Sequence, residues 1–115
     1  MLNFQKLLIW QKAHALTLEV YNLTAQFPKE EIFGLVSQMR RSSSSVPTNI
    51  AEGSGRATKP DFKRFLTIAI GSVSELEYQF ILSKDLRFIS TEQFENLTAK
   101  AIELRKMMIA YATKL

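Results

Sequence analysis

Four segments of the chain repeat apolar or small residues at alternating steps of three and four, and this pattern limits the possible folds more than any other feature. The repeats span residues 9–27, 32–50, 62–80 and 94–115. A spacing near 3.5 residues places these side chains on one face of an α-helix and suits helices that cross at shallow angles. No stretch alternates with a period of two, so strands are not predicted. We expect an all-α protein, an antiparallel up-down-up-down four-helix bundle with short connections.

Local signals mark where these helices begin and end. Pro28 ends the first helix, because a proline biases the residue before it away from helical conformation. The Gly-Ser-Gly sequence at 53–55 should loosen or end the second helix. Thr58 and Ser90 are each followed three residues later by a residue, Asp or Gln, that completes a capping pair. We therefore expect the third and fourth helices to begin just after these two residues.

Length and composition indicate one domain over residues 1–115. The chain is 46% hydrophobic and 23% charged, as in folded globular proteins rather than disordered ones. It has no cysteine, which excludes disulfides and thiolate metal sites. No signal-like segment opens the chain and no apolar run approaches ~18 residues. We expect a cytoplasmic protein without a membrane partner.

The segment 33–56 suits a helix poorly. It contains two adjacent arginines, four serines, Pro47 and the Gly-Ser-Gly sequence, and serine hydroxyls compete for backbone groups. Pro47 has no amide to offer the carbonyl of Ser43. We therefore predict a local bend here and another donor for that carbonyl.

The excess positive charge lies in one stretch, residues 40–64. The chain has a net charge of +4, and this stretch supplies all of it, since only Glu52 and Asp61 oppose its basic residues. The basic residues are Arg40, Arg41, Arg56, Lys59, Lys63 and Arg64. Such a surface can face phosphates, although a solvated basic face would look the same. Aromatic residues at helical spacing, among them Trp10 and Tyr21, are predicted to be core rather than base-stacking platforms.

Two interpretations compete for Arg40 and Arg41. In the first, an arginine pairs with Glu75 or Glu52, within or between subunits, because a buried charge needs a partner. In the second, the exposed guanidinium groups contact phosphates. One arginine could serve each purpose.

The third helix carries more apolar surface than one bundle needs. A second seam beside the core seam, with partners on the second helix, predicts a subunit interface. The candidates are Phe65, Ile68, Ser72, Glu75 and Gln79, with Arg41 and Glu52. A broader core within one chain is the alternative. Gly71 favours an interface, because a mid-helix glycine costs ~1 kcal/mol against alanine and often permits close helix approach.

Enzyme interpretations find little support. The glycines at 53–55 lack the third glycine and the preceding strand of a dinucleotide site. His14 is the only histidine, so we expect no metal site and no cofactor. The serines at 42–45 have no evident base, and Glu75 and Glu77 point to different sides of a helix. A carboxylate nuclease site assembled across subunits remains as a minor alternative, and no small-molecule substrate is evident.

The same odd segment carries a family resemblance. Residues 34–56, above all QMRRSSSSVPTNIAEGSGR, resemble the signature of the four-helix bundle proteins encoded in intervening sequences of bacterial 23S ribosomal RNA genes, also labelled S23 ribosomal protein. LLIWQKAHALTLEVYNLTAQFPKEE and FLTIAIGSVSELE extend the likeness over nearly the whole chain. That family is similar in fold to the accessory protein of diversity-generating retroelements, a barrel-shaped homopentamer that binds nucleic acid. The resemblance implies a pentamer with a basic rim or channel.

Together these observations predict a non-enzymatic, homo-oligomeric protein that binds RNA or DNA through its basic surface. Recognition would rest on backbone charge and shape, because no base-reading motif is visible. The alternative is a protein-interaction scaffold without a nucleic-acid role, whose basic charge only keeps it soluble.

Overall fold

The computed structural model describes residues 2–115 and contains four long helices. They are α1 (Leu8–Thr24), α2 (Leu35–Ser54), α3 (Lys59–Asp85) and α4 (Thr91–Thr113). Single 3-10 turns, Phe4–Lys6 and Lys29–Glu31, precede α1 and α2. No strand occurs in this part of the chain. The prediction of an all-α, four-helix protein is confirmed.

The four helices surround one core. Helix α2 packs against α1 and α3, and α4 packs against α3 and α1; the α2–α3 contact is the most extensive and the α1–α4 contact the least. The molecule is 43 Å long, close to the ~40 Å expected for the 27 residues of α3 at 1.5 Å per residue. The largest side chains that are fully buried are Phe80, Met39, Ile50, Leu66, Leu76, Leu104 and Met108.

The predicted core seams match the core except at the start of the second one, and the seam residues Leu23, Phe94, Tyr111 and Leu115 are partly buried and pack against the core. Every predicted seam residue of α3, from Phe62 to Phe80, is buried. The core seam of the second helix was predicted to begin at Ile32. This is wrong, because Ile32 is 51% exposed and precedes α2. The helix cannot start earlier, because Gly34 has φ −109° and ψ −111°, outside the helical region. The Glu31 carboxylate accepts a hydrogen bond from the Leu35 amide at 3.2 Å and so caps the helix.

The predicted caps of α3 and α4 are present. Thr58 Oγ1 accepts from the Asp61 amide at 3.3 Å. Ser90 and Gln93 form a reciprocal capping box, with amide-to-side-chain distances of 3.0 and 2.8 Å. Both helices begin where the sequence predicted, because each cap satisfies amides that have no partner inside the helix.

Helix α2 ends at Ser54 with Gly55 as its C-cap, so the prediction that the Gly-Ser-Gly sequence at 53–55 ends the second helix is confirmed. Gly53 itself lies in the last turn of α2. The absence of a side chain at Gly53 lets α3 approach closely. A Cβ there would lie 2.8 Å from Phe65 Cβ and 2.8 Å from Phe62 Cδ1. Glycine is therefore required by packing at this position.

Pro47 is buried within α2, and the helix continues through it. The carbonyl of Ser43, which lacks an amide partner at position 47, accepts a hydrogen bond from Thr17 Oγ1 of α1 at 2.9 Å. Thr17 itself is buried. The prediction that another donor serves this carbonyl is confirmed.

By length and composition alone, α3 is long and apolar enough to cross a membrane. A helix in the core of a bundle passes the same test. The buried seam of α3 packs against α2 and α4, so we interpret it as a core helix.

Candidate nucleic-acid interface

The six basic candidates fall into two groups. Arg56, Lys59, Lys63 and Arg64 surround the connection from α2 to α3, and we call them the turn group. Arg40 and Arg41 lie in the first half of α2. At 1.5 Å per residue, the 15 residues from Arg41 to Arg56 span ~22 Å. The stretch that is continuous in sequence therefore does not form one continuous basic surface.

Two carboxylates partly neutralise the turn group. Arg64 Nη2 lies 3.1 Å from Asp61 Oδ1, and Arg56 Nε lies 3.7 Å from Asp61 Oδ2. Arg56 Nη2 also lies 3.5 Å from Glu52 Oε1. These pairs are exposed, so each contributes ~1 kcal/mol or less to stability. An approaching phosphate could replace the carboxylates at little cost.

Phe65 orders the two arginines of the turn group. The guanidinium groups of Arg56 and Arg64 lie 4.6 and 4.4 Å from the centre of its ring, within the range of a cation–π contact. Lys59 and Lys63 are exposed and form no ion pair with any residue from 2 to 115. The two lysines are therefore the most available charges of the turn group.

Arg40 joins α2 to the end of α1. Its Nε donates to Thr24 Oγ1 at 2.9 Å, and its Nη2 donates to the Tyr21 carbonyl at 3.3 Å. Its guanidinium also lies 4.7 Å from the centre of the Tyr21 ring. A cation at a helix C-terminus is favoured by the helix dipole. Arg40 thus has a structural role, with partners on α1 rather than the predicted Glu75 or Glu52.

Arg41 differs from its neighbour. It is exposed, and among the described residues its side chain forms neither an ion pair nor a hydrogen bond. Within the chain, Glu75 accepts instead from Ser42 Oγ at 2.8 Å, and Glu52 pairs with Arg56. Of the two arginines, Arg41 is the one free to bind a phosphate or another subunit.

The candidate interface seam on α3 turns partly inward. Phe65 and Gln79 are buried within the chain, and Ser72 exchanges a hydrogen bond with Ser45 of α2 at 2.9 Å. These positions fit the alternative of a broader core. Ile68, 43% exposed, and Glu75 remain at the surface. An interface role for this seam stays a prediction.

Two neighbouring features of α3 are consistent with a contact between subunits. Tyr78 is 59% exposed. A Cβ added at Gly71 would meet no atom within 4 Å, so packing within the described chain gives no reason for glycine there. The outer surface formed by Ile68, Gly71, Glu75 and Tyr78 is called the α3 surface below.

Sequence reasoning missed a groove between α1 and α2. Its lining includes Phe33, which is 96% exposed, and Tyr21, which is 42% exposed. The prediction that such aromatic residues are core is wrong for these two. Phe33 precedes α2 and lies outside every predicted seam, and that offset was the available signal. Further along the groove, the exposed His14 ring stacks on Trp10 with 5.0 Å between ring centres.

Several titratable side chains form ion pairs between helices. Within residues 2–115, no three side chains of His, Asp or Glu come close enough to hold a metal ion. Lys12 of α1 lies 2.8 Å from Glu103 of α4. Its hydrogen bond, and then its charge, lower the pKa of Glu103. This is a surface ion pair on the α1–α4 side, away from both basic groups.

Comparisons with known proteins identify a family and a fold. The family described as "23S rRNA-intervening sequence protein" matches residues 5–110. A solved structure from Bacteroides thetaiotaomicron, described as a protein with unknown function from the S23 ribosomal protein family, is similar with a TM-score of 0.85 and 26% identity. The match covers 91% of this chain and 95% of that chain. Among curated proteins, no match is found.

Proposed function

The chain belongs to the 23S rRNA-intervening sequence protein family, and we propose that it is a non-enzymatic, self-associating bundle protein that binds nucleic acid through its basic surface. The observation that carries the proposal is the turn group, where exposed Lys59 and Lys63 flank the N-terminus of α3. Exposed lysines at a helix N-terminus attract phosphate through both their charge and the helix dipole.

We infer that the helices form an antiparallel bundle. Residue pairs between α1 and α4 run in opposite order, from Lys12–Glu103 to Glu19–Lys100. Pairs between α2 and α3 do the same, from Ser42–Glu75 to Ser45–Ser72. This arrangement brings the α2–α3 connection and both ends of the chain to one end of the bundle.

The proposed self-association uses the α3 surface. Ile68 and Tyr78 are apolar or aromatic and largely unburied, and Gly71 leaves room for a neighbouring helix. The resemblance to the retroelement accessory protein leads us to propose a pentamer.

Self-association can be measured by light scattering. We expect an oligomer at ~100 μM, where mass action favours assembly. Ile68→Asp should shift it toward monomer, because a charge would be buried at the interface. Ile109→Asp is the matched control, since Ile109 of α4 is equally exposed at 43%. A monomeric wild-type protein, or equal effects of the two substitutions, would contradict the interface.

Nucleic-acid binding is tested by the salt dependence of affinity. A fluorescently labelled RNA hairpin is titrated at ~50 to ~200 mM salt, where phosphate contacts lose affinity steeply. Lys59→Ala with Lys63→Ala should weaken binding and lower the slope of log K against log salt by ~1.5, because each lost phosphate contact removes ~0.7–0.9.

The control removes the same charge elsewhere: Lys29→Ala with Lys106→Ala, two lysines that are exposed and form no ion pair with residues 2–115. No binding at ~50 mM salt, or binding indifferent to salt, would refute the proposal. Equal slopes for the two double variants would refute the assignment to the turn group.

A protein-interaction scaffold is the second candidate. The observation in its favour is the partial neutralisation of the turn group by Glu52 and Asp61. A defined protein partner recovered from nuclease-treated lysate, together with absent RNA and DNA affinity, would support this candidate over the first.

A further inference from the structure

We propose that the groove between α1 and α2 binds a single strand of RNA, with unpaired bases stacking on Phe33 and on the His14–Trp10 pair. This inference rests on the proposed nucleic-acid function and adds a second site to it, distinct from the turn group. The turn group contacts backbone charge only, whereas this groove has the chemistry to hold bases.

The groove follows α2 in two adjacent parts that share Ser44. One part is lined by Tyr21, Phe33, Arg40 and Arg41, the other by His14 and its neighbours, and Ser44 lines both parts. The two parts are shallow and open to solvent, with volumes of about 520 and 410 Å³. From Val36 to Ala51, which line its two ends, α2 rises ~22 Å. Several nucleotides can lie along this length.

The aromatic side chains offer flat, accessible faces. Phe33 is 96% exposed, so both faces of its ring are open. The His14 and Trp10 rings are nearly parallel, with 11° between their planes, and Phe4 packs against Trp10 with 5.1 Å between centres. Because His14 is exposed at the outer end of this stack, a base can continue it. Stacking on aromatic side chains is tolerant of sequence and is the usual way in which proteins hold unpaired bases.

The charge of the groove complements a phosphate chain. Arg40 and Arg41 line it, and no carboxylate lines either part. Arg41 has no partner among residues 2–115, so its guanidinium is free to contact a phosphate. A second copy of this chain, with its own net charge of +4, is a poorer match to this lining than an anion.

The hydroxyl groups of the groove favour RNA over DNA. Ser37, Ser44 and Thr48 line it beside the arginines and aromatic rings. A hydroxyl both donates and accepts, as does the ribose 2′-OH that distinguishes RNA from DNA. RNA therefore gains contacts in the groove that DNA of the same sequence lacks.

The test compares three labelled probes by fluorescence anisotropy: an unstructured RNA of about eight nucleotides, the same sequence as DNA, and a blunt RNA duplex. Phe33→Ala should weaken binding of the single-stranded RNA by about 5- to 150-fold, the range expected for one lost stack, and leave the duplex unchanged. Phe33→Trp should retain binding. The control Ile109→Ala removes another exposed apolar side chain, on α4, and should change nothing.

Trp10 is the only tryptophan, which gives an independent readout of position. Single-stranded RNA should quench its fluorescence in the wild type and in Lys59→Ala/Lys63→Ala, because the groove is separate from the turn group.

Unchanged RNA affinity in Phe33→Ala, or absent quenching, overturns the groove site. Equal affinity for the DNA probe overturns the choice of RNA, and a change of oligomeric state in Phe33→Ala shows that a second copy occupies the groove. If the duplex still binds with a salt dependence, only the groove proposal fails; if no probe binds, the proposed function fails as well.

Discussion

The hydrogen bond from Thr17 to the Ser43 carbonyl predicts an unusual coupling across two helices. Pro47 leaves this buried carbonyl without its helical donor, and the Thr17 hydroxyl replaces that donor at 2.9 Å. Thr17→Val keeps the shape of the side chain but removes the hydroxyl. Pro47→Ala restores the missing amide. The cost of losing the hydroxyl should therefore depend on which residue occupies position 47.

The magnitude follows from the cost of an unsatisfied buried acceptor, ~1–3 kcal/mol. A methyl group in place of the hydroxyl returns up to ~0.8 kcal/mol of apolar burial, so we expect Thr17→Val to lower the free energy of unfolding by ~1–2 kcal/mol. Thr17 Oγ1 also lies 3.0 Å from the Ala13 carbonyl, but that carbonyl keeps its own helical amide. In the Pro47→Ala background the cost should fall to near zero. The coupling is then ~1–2 kcal/mol, typical of residues in direct contact.

The wild type, Thr17→Val, Pro47→Ala and the double variant form a double-mutant cycle. Their free energies of unfolding are measured by urea unfolding followed by circular dichroism, at one protein concentration. The stability of Pro47→Ala by itself does not matter, because the cycle removes it. Thr67→Val is the control: Thr67 Oγ1 donates to the Lys63 carbonyl at 3.0 Å on an exposed face, and its loss should change stability by no more than ~0.5 kcal/mol. An equal cost of Thr17→Val in both backgrounds would show that the hydroxyl does not replace the missing amide.

Four further substitutions test stability and titration. Gly53→Ala places a Cβ 2.8 Å from two phenylalanine side chains and should lower the unfolding free energy by ~1–2 kcal/mol, as overpacking exceeds the gain in helix propensity. In urea titrations at a protein concentration low enough to keep the chain monomeric, Gly71→Ala, with open space around it in one chain, should raise that energy by ~0.4–1 kcal/mol; changes of the same sign for the two glycines would contradict the packing argument. Ser90→Ala removes a capping box and should lower the thermal midpoint through a loss of ~1 kcal/mol, whereas an unchanged midpoint would show that the cap contributes nothing. Lys12 lowers the pKa of Glu103, so this ion pair stabilises the fold above the unfolded-state pKa of Glu103, and its contribution is lost as the pH falls through the folded-state pKa. Lys12→Met should return the pKa of Glu103 toward its usual value in an NMR titration. An unmoved pKa would refute the pairing.

The sequence predicted those features that depend on local pattern. Apolar residues at every third or fourth position predicted the four helices. The helix caps at Thr58 and Ser90 were predictable because each side chain bonds to an amide only three residues away. The need of the Ser43 carbonyl for a new donor was also predictable, since it follows from proline chemistry. The identity of that donor was not, because Thr17 lies 26 residues away.

Features that depend on tertiary contacts escaped prediction. Periodicity placed Ile32 in the second helix, but the conformation of Gly34 and the Glu31 cap start the helix later. Charge counting could not show that Asp61 binds two arginines at once, or that Arg40 binds α1. The groove that Phe33 lines forms only when α1 and α2 pack together.

The sparse contact between α1 and α4 has a consequence for motion. Two exposed ion pairs, Lys12–Glu103 and Glu19–Lys100, bridge this side of the bundle at 2.8 Å each, whereas the α2–α3 contact is the most extensive. Local opening follows the regions with the fewest buried contacts. Among the four helices, amide hydrogen exchange should therefore be faster in α1 and α4 than in α2 and α3, and we expect the α2–α3 pair to open last.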